Sequence, residues 1–246
     1  MEVKLDAKGK GYRQLNSEVR QALEAGATQI LLDGVNGHYY LGAGLRGNQR
    51  LVVNGTPGND TACYLDGPEM VIYGNAQDGL GNTMNNGRVI VHGGAGDVLG
   101  YGMRGGELFI RDSIGYRGGI HMKEFKEKCP VIVIGKSAGS FLGEYMAGGR
   151  IVLLGLDSPE GQIIGRHCGS GMHGGCMYIR DTVDRDLLSP DIMNVPLSKS
   201  DEAFIRMCVS RYGEYFGLAV EQLPAGSFLK LVPRGNRPYA RLYAGV

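Results

Sequence analysis

Short apolar runs recur along the chain between polar, glycine-rich turns. Eight six-residue runs align: QILLDG from Gln29, RLVVNG from Arg50, EMVIYG from Glu69, RVIVHG from Arg88, ELFIRD from Glu107, PVIVIG from Pro130, RIVLLG from Arg150 and CMYIRD from Cys176. Their start-to-start spacings are 21, 19, 19, 19, 23, 20 and 26 residues. Two of the long intervals carry insertions, Phe125–Lys128 and the stretch near Asp157–Glu160. A fixed period near 20 marks a solenoid. The second, third and fourth places of each run are apolar, many are β-branched, and no helical 3.6 period appears. Such runs fit strands buried on both faces of a parallel sheet. The expected fold is an all-β solenoid, a single-stranded parallel β-helix of about eight coils with strands stacked ~4.8 Å apart.

Places two and four of each run, such as Val89 and Val91, are assigned to the interior. Met84, Met103, Met146 and Cys168 align as an inner ladder. Place three reads Leu31, Val52, Val71, Ile90, Phe109, Ile132, Val152 and Tyr178. It should point outward, yet it is apolar throughout, so it needs a cover, either the C-terminal segment or a partner protein. The flanks divide around this repeat. Residues 1–28 read as a strand from Glu2 to Leu5 and a capping helix that starts at Asn16 or Ser17, carries Val19, Ala22 and Leu23 as its stripe, and stops at Gly26. Residues 29–185 form the β-helix. Residues 186–246 hold a helix over 200–217, capped by Ser200 with Ala203, Phe204, Met207, Cys208 and Tyr212 as its apolar face, then an aromatic-rich tail packing on the β-helix. Leu231–Gly235 resembles a protease site but lies inside continuing sequence and is kept as native.

Composition narrows the function classes. Glycine is 42 of 246 residues, well above the usual ~7%, and among ordinary proline and plentiful aliphatics it belongs to turns of an ordered fold. The 26 basic and 25 acidic residues give no electrostatic case for nucleic acid or an anionic membrane. No apolar run is long enough to span a bilayer, and the first residues do not read as a signal peptide. Five cysteines without even spacing suggest a reducing, cytoplasmic setting. A homo-oligomer is left open.

Candidate chemistry is sparse. Gly42–Gly47, Gly100–Gly105 and Gly169–Gly174 each match G-x-G-x-x-G, but a dinucleotide fingerprint needs a helix after it, and here each match precedes a strand or turn. Corner geometry is the better reading. His167, Cys168, His173 and Cys176 form the one His/Cys cluster, in which Cys168, His173 and Cys176 are weak candidates for a zinc site, against which Cys168 falls in the inner ladder and Cys176 opens a strand. Lys123 and Glu124 could be acid–base groups, although charged loop tips are more often solvated. Arg104, Arg117 and Arg166 recur at corners as a polar edge stripe for a partner or a phosphate. With His121 and Lys123 they form the expected partner-facing set. No catalytic or cofactor-binding set stands out.

GNAQDGLGNTMNNGRVIVHGGAGDVLGYGMRGGELFIRDSIGYRGGIHMKE, running to Glu124, resembles the GXGXG domain at the C-terminal end of the glutamate synthase large subunit and its stand-alone relatives. The likeness extends from about Gly11 through Gly143–Gly149 and Gly171–Gly175 to Arg237-Pro-Tyr239. The β-helical subunit of formylmethanofuran dehydrogenase is similar over the coils. The resemblance implies a right-handed parallel β-helix that supports catalytic domains and has no catalytic residue of its own. FMN and iron–sulfur clusters would then sit on partner chains, one an amidotransferase and one FMN-binding, since no C-x-x-C motif and no cysteine after Met1 is present. A scaffold subunit of a glutamate synthase-type complex is the expected role. The alternatives are the equivalent scaffold of a formylmethanofuran dehydrogenase and a free-standing β-helix lyase or acyltransferase.

Overall fold

A computed structural model describes residues 1–157, 163–219 and 227–235. The end of the second insertion (158–160), the Arg237–Tyr239 match and the last part of the tail lie outside these residues. The protein is a parallel β-solenoid. Strands β1 (Glu2–Asp6), β2 (Gln29–Asn36), β3 (Arg50–Thr56), β4 (Asp66–Tyr73) and β5 (Asn86–Val91) stack in chain order and in parallel. The ladder continues through β6 (Glu107–Ile110), β7 (Val131–Ile134), β8 (Ala147–Leu153) and β9 (Gly174–Arg180). Each of the eight runs is thus one strand of this ladder.

One register differs from the sequence reading. Glu107 pairs with Val131, not Pro130, so the intervals flanking β7 are 24 and 19 residues. Proline has no N–H to give the ladder. The residues before it close on themselves through a Phe125–Lys128 antiparallel bridge, which takes up the extra length. Shifting a strand by one residue exchanges its two faces. Ile132 therefore points inward, and Val133 takes its place in the outward row.

With that correction the sixteen side chains at places two and four all lie in one buried cluster. The methionine ladder also needs redrawing. Met84, Met103, Met122, Met146 and Met172 occupy equivalent places, each donating its N–H to the carbonyl of the glycine three residues before it. Cys168 instead shares a place with Leu80, Leu99 and Leu142, one residue ahead of those glycines. Both rows are fully or almost fully buried.

Helix α1 (Tyr12–Glu24) closes the first end, burying Leu15 and Val19 and packing Ala22 and Leu23 on the core. Its N-cap is Gly11, five residues before Asn16, with no side-chain cap; the Asn16 amide is engaged with the Tyr12 and Tyr39 carbonyls. At the far end β10 (Ile192–Val195) and β11 (Phe228–Pro233) add antiparallel strands in the order β9–β11–β10.

From β4 to β9 the outward row has its own cover, while Leu31 and Val52 are half-buried and lie outside it. Helix α2 (Lys199–Phe216) lays Ile205, Cys208, Val209 and Tyr212 against Val71, Ile90, Phe109, Val133, Val152 and Tyr178 in a second buried cluster. That spacing is one face of a helix. Ala203 and Met207, expected on this face, are exposed. Ser198 rather than Ser200 caps the helix, forming a reciprocal capping box with Asp201. Ionic contacts fix α2 in place. Arg211 forks onto Glu107, which also meets Arg88. Burial pushes the Glu107 carboxyl up, but the bonds from Arg211 and Arg88 outweigh it and hold it below its usual range.

Candidate interaction surface

The corners are built from an unusual backbone. In each of seven coils, three alternate residues are left-handed: Tyr40, Gly42 and Gly44 in the first, Gly79, Gly81 and Thr83 in the third, Arg117, Gly119 and His121 in the fifth. In the five interior corners the outer two N–H groups donate forward to the next coil, and the middle one donates back to the coil before. The middle place is glycine in six of the seven corners, Ala62 being the exception. At Gly119, for instance, a Cβ would sit 2.7 Å from Ile151 Cδ1 in the core. The three G-x-G-x-x-G matches all fall on such corners and run on into strands β3, β6 and β9. No helix follows them to carry a pyrophosphate.

Because side chains at one corner place stack coil upon coil, the corners make a continuous edge. Its later half is aromatic. Tyr101 and His121 meet edge to face at 5.8 Å, and the His121 ring stacks on Tyr145 at 5.3 Å and 10°. Phe141 stacks on His167 at 5.0 Å, and the Arg117 guanidinium lies 5.0 Å over Phe141 while bonding Glu144 at 2.8 Å. Tyr101 and Tyr116 are exposed.

The sequence-selected cations divide among these rows. Arg104 and Lys123 occupy the same place in adjacent coils, Arg104 N–H donating to Met84 and Lys123 N–H to Met103. Both are exposed, and among the described residues neither has a carboxylate partner. Arg117 and Arg166 stand in two other rows, so the three arginines form no single stripe. His121 lies two residues before Lys123 and beside Tyr101, which brings His121, Lys123 and Arg104 to one part of the edge. Tyr101, Tyr116, Phe141 and Tyr145 escaped the sequence reading, and His167 entered it only beside Cys168. Aligning the corners on the methionine places, rather than on the strands, would have put His121 and Tyr145 in one column.

The remaining candidates have structural duties. Glu124 accepts the Gly149 N–H at 3.1 Å, joining the insertion to β8. Cys168 points into the core, where burial pushes its thiol up to about 12. Cys176 faces outward at the first place of its six-residue run within β9, and His173 Nδ1 lies 3.1 Å from the Gly171 carbonyl. The wall of the coil separates the two cysteines. Among the described residues no three His, Cys, Asp or Glu side chains gather as a metal site. No helix among them is long and apolar enough to cross a membrane.

The family model for the GXGXG motif matches residues 25–233. The chain belongs to the GXGXG motif family. It is also 41% identical over 251 residues to an uncharacterized protein of Methanocaldococcus jannaschii, a match covering 98% of this chain and 96% of that protein. In this GXGXG protein the alternating glycines have a physical reading: they mark the first, third and fifth residues of a corner whose backbone is left-handed at each.

Proposed function

We propose that this GXGXG protein is a non-catalytic scaffold subunit of a glutamate synthase-type complex. In that reading partner chains carry out reductive transfer of the glutamine amide nitrogen to 2-oxoglutarate, and FMN and iron–sulfur clusters reside on them. The observation that carries the proposal is the aromatic edge. It sets Tyr101, His121 and Tyr145 in contact beside two uncompensated cations, Arg104 and Lys123, on a wall held rigid by coil-to-coil hydrogen bonds. Tyrosine and arginine at the centre of a rigid patch are the residues that dominate protein–protein affinity. Family membership and the glutamate synthase resemblance support the choice of complex.

The test is affinity purification of the tagged chain from its native cell. Recovery of an amidotransferase chain and an FMN-binding chain is expected. Changing Arg104→Glu and Lys123→Glu together should release them while leaving the melting temperature unchanged, because both side chains are solvated. A chain that recovers neither partner defeats the proposal. Recovery with the chains of a formylmethanofuran dehydrogenase would replace it with that reading.

A further inference from the structure

The first half of the same edge differs in character from the second. Beside the first corner, α1 is tied down by the Asn16 amide on the Tyr39 carbonyl and by Arg20 Nη2 on the Ala43 carbonyl, at 2.9 and 2.6 Å. A cleft of about 370 Å³ opens between the helix and Tyr40. Arg13 and Arg20 line it, both exposed, and among the described residues neither meets a carboxylate. Among the described residues Arg13 donates one hydrogen bond, from Nε to the Tyr12 hydroxyl, and its guanidinium lies over the Tyr12 ring.

The next three coils are acidic at the matching corner. Asp60 takes the left-handed place that Tyr40 takes, and Asp78 and Asp97 stand one residue ahead of it in the two coils beyond. Asp78 Oδ1 accepts the Asp97 N–H and Asp97 Oδ1 accepts the Tyr116 N–H, each at 2.8 Å. These bonds fix the carboxylates in position and leave each Oδ2 free of hydrogen bonds. None of the three aspartates has a cationic partner among the described residues. Elsewhere stacked charges meet across the coils, as in the Arg50–Glu69–Arg88–Glu107 chain. Here an unmatched basic pair and an unmatched acidic row lie side by side, with Tyr40 and Tyr64 exposed between and beside them.

We propose that this band is the interface of a two-fold dimer of the chain. A two-fold axis brings one patch onto its own copy in reversed order, so each molecule's basic half meets the other's acidic half. The tyrosines at the centre supply the apolar contact that charge pairs alone do not.

Sedimentation velocity of the full chain tests this. The wild type should be a dimer in low salt and should dissociate measurably at about 0.5 M salt, where exposed charges are screened. Arg13→Asp with Arg20→Asp should weaken dimerisation about tenfold or more. Asp78→Arg with Asp97→Arg should do the same. Mixing the two variants restores both opposite-charge contacts and should return a heterodimer. Circular dichroism melts verify that each variant folds; if the aspartate variant does not, the salt series and the arginine variant decide alone. A wild type that stays monomeric at micromolar concentration in low salt overturns the proposal. So does a dimer indifferent to salt and to the arginine reversal, or two folded variants that fail to associate when mixed.

Discussion

Gly119 offers the sharpest test of how the corners are built. It is the middle left-handed residue of its corner at φ 71°, whereas Gly102, at φ 57°, is the last of the corner before. Alanine at either place sits in left-handed backbone, a cost of about 1–2 kcal/mol. Either substitution also stiffens the unfolded chain, which offsets about 0.4–1 kcal/mol. At Gly102 the nearest atom to a new Cβ is Thr83 Oγ1 at 3.7 Å, an ordinary contact. Gly102→Ala should therefore cost about 1 kcal/mol or less. At Gly119 the Cβ meets Ile151 Cδ1 at 2.7 Å, and Ile151 is wholly buried. Displacing it adds about 1–3 kcal/mol of overpacking. Urea unfolding followed by circular dichroism would measure both variants side by side. Adding Ile151→Val to Gly119→Ala removes the clashing methyl, so the double variant should lose less than the sum of its single losses. Equal losses at the two glycines, or simple additivity in the double variant, would refute the inward-facing middle place.

Other outcomes follow from the same packing. Met122→Ala should cost about 2–5 kcal/mol by opening a cavity in the buried methionine row, readable as a lower urea midpoint. Arg211→Met should cost about 1–3 kcal/mol, because it leaves the half-buried Glu107 with one cation instead of two, and Glu107→Gln in that background should recover part of the loss. Acid should weaken the fold in two steps. His92, stacked on Tyr73 and edge to face with Phe216, is held below 6.5 by burial and by Arg111, so the unfolded chain binds the proton more readily and stability falls as pH drops below about 6.5. Asp201 is held below 3.8 because the bonds from Lys230, Ser198 and Tyr178 outweigh the effect of burial, so its contribution is present above that pH and is lost beneath it. Melting temperatures across this range should lose the upper step in His92→Gln and the lower in Asp201→Asn.

The strands were legible because burial on both faces writes a dense apolar run at a fixed interval. The same density hid the register of β7. A run such as PVIVIG has no polar residue to mark one face, so nothing in it distinguishes Pro130 from Val131 as the first rung. What decides is the missing N–H of proline together with the local bridge of Phe125 and Lys128, a contact between residues rather than a pattern. Cys168 was misplaced for a related reason: it neighbours a corner glycine, but on the side opposite to the methionines. The helix α2 stripe was found with its face turned, since Met207 and Ile205 are both apolar and nothing in the helix's own sequence says which of them meets the outward row. The aromatic edge was the least legible. Its rings are far apart in sequence and become neighbours only when the coils are stacked on the correct corner residue.

The cover formed by α2 has a consequence for the order in which the protein is made. Strands β4 to β9 leave the ribosome before residue 199, so their outer apolar row emerges without the helix that will shield it. Until synthesis has passed Tyr212 and Phe216, the nascent solenoid shows the cell a six-strand hydrophobic wall of the kind that recruits chaperones or other nascent chains. Arg211, Tyr212 and the strand β11 that follows act as the final fastening, and a message broken between codons 180 and 199 would yield a product with its spine assembled and its outer wall bare.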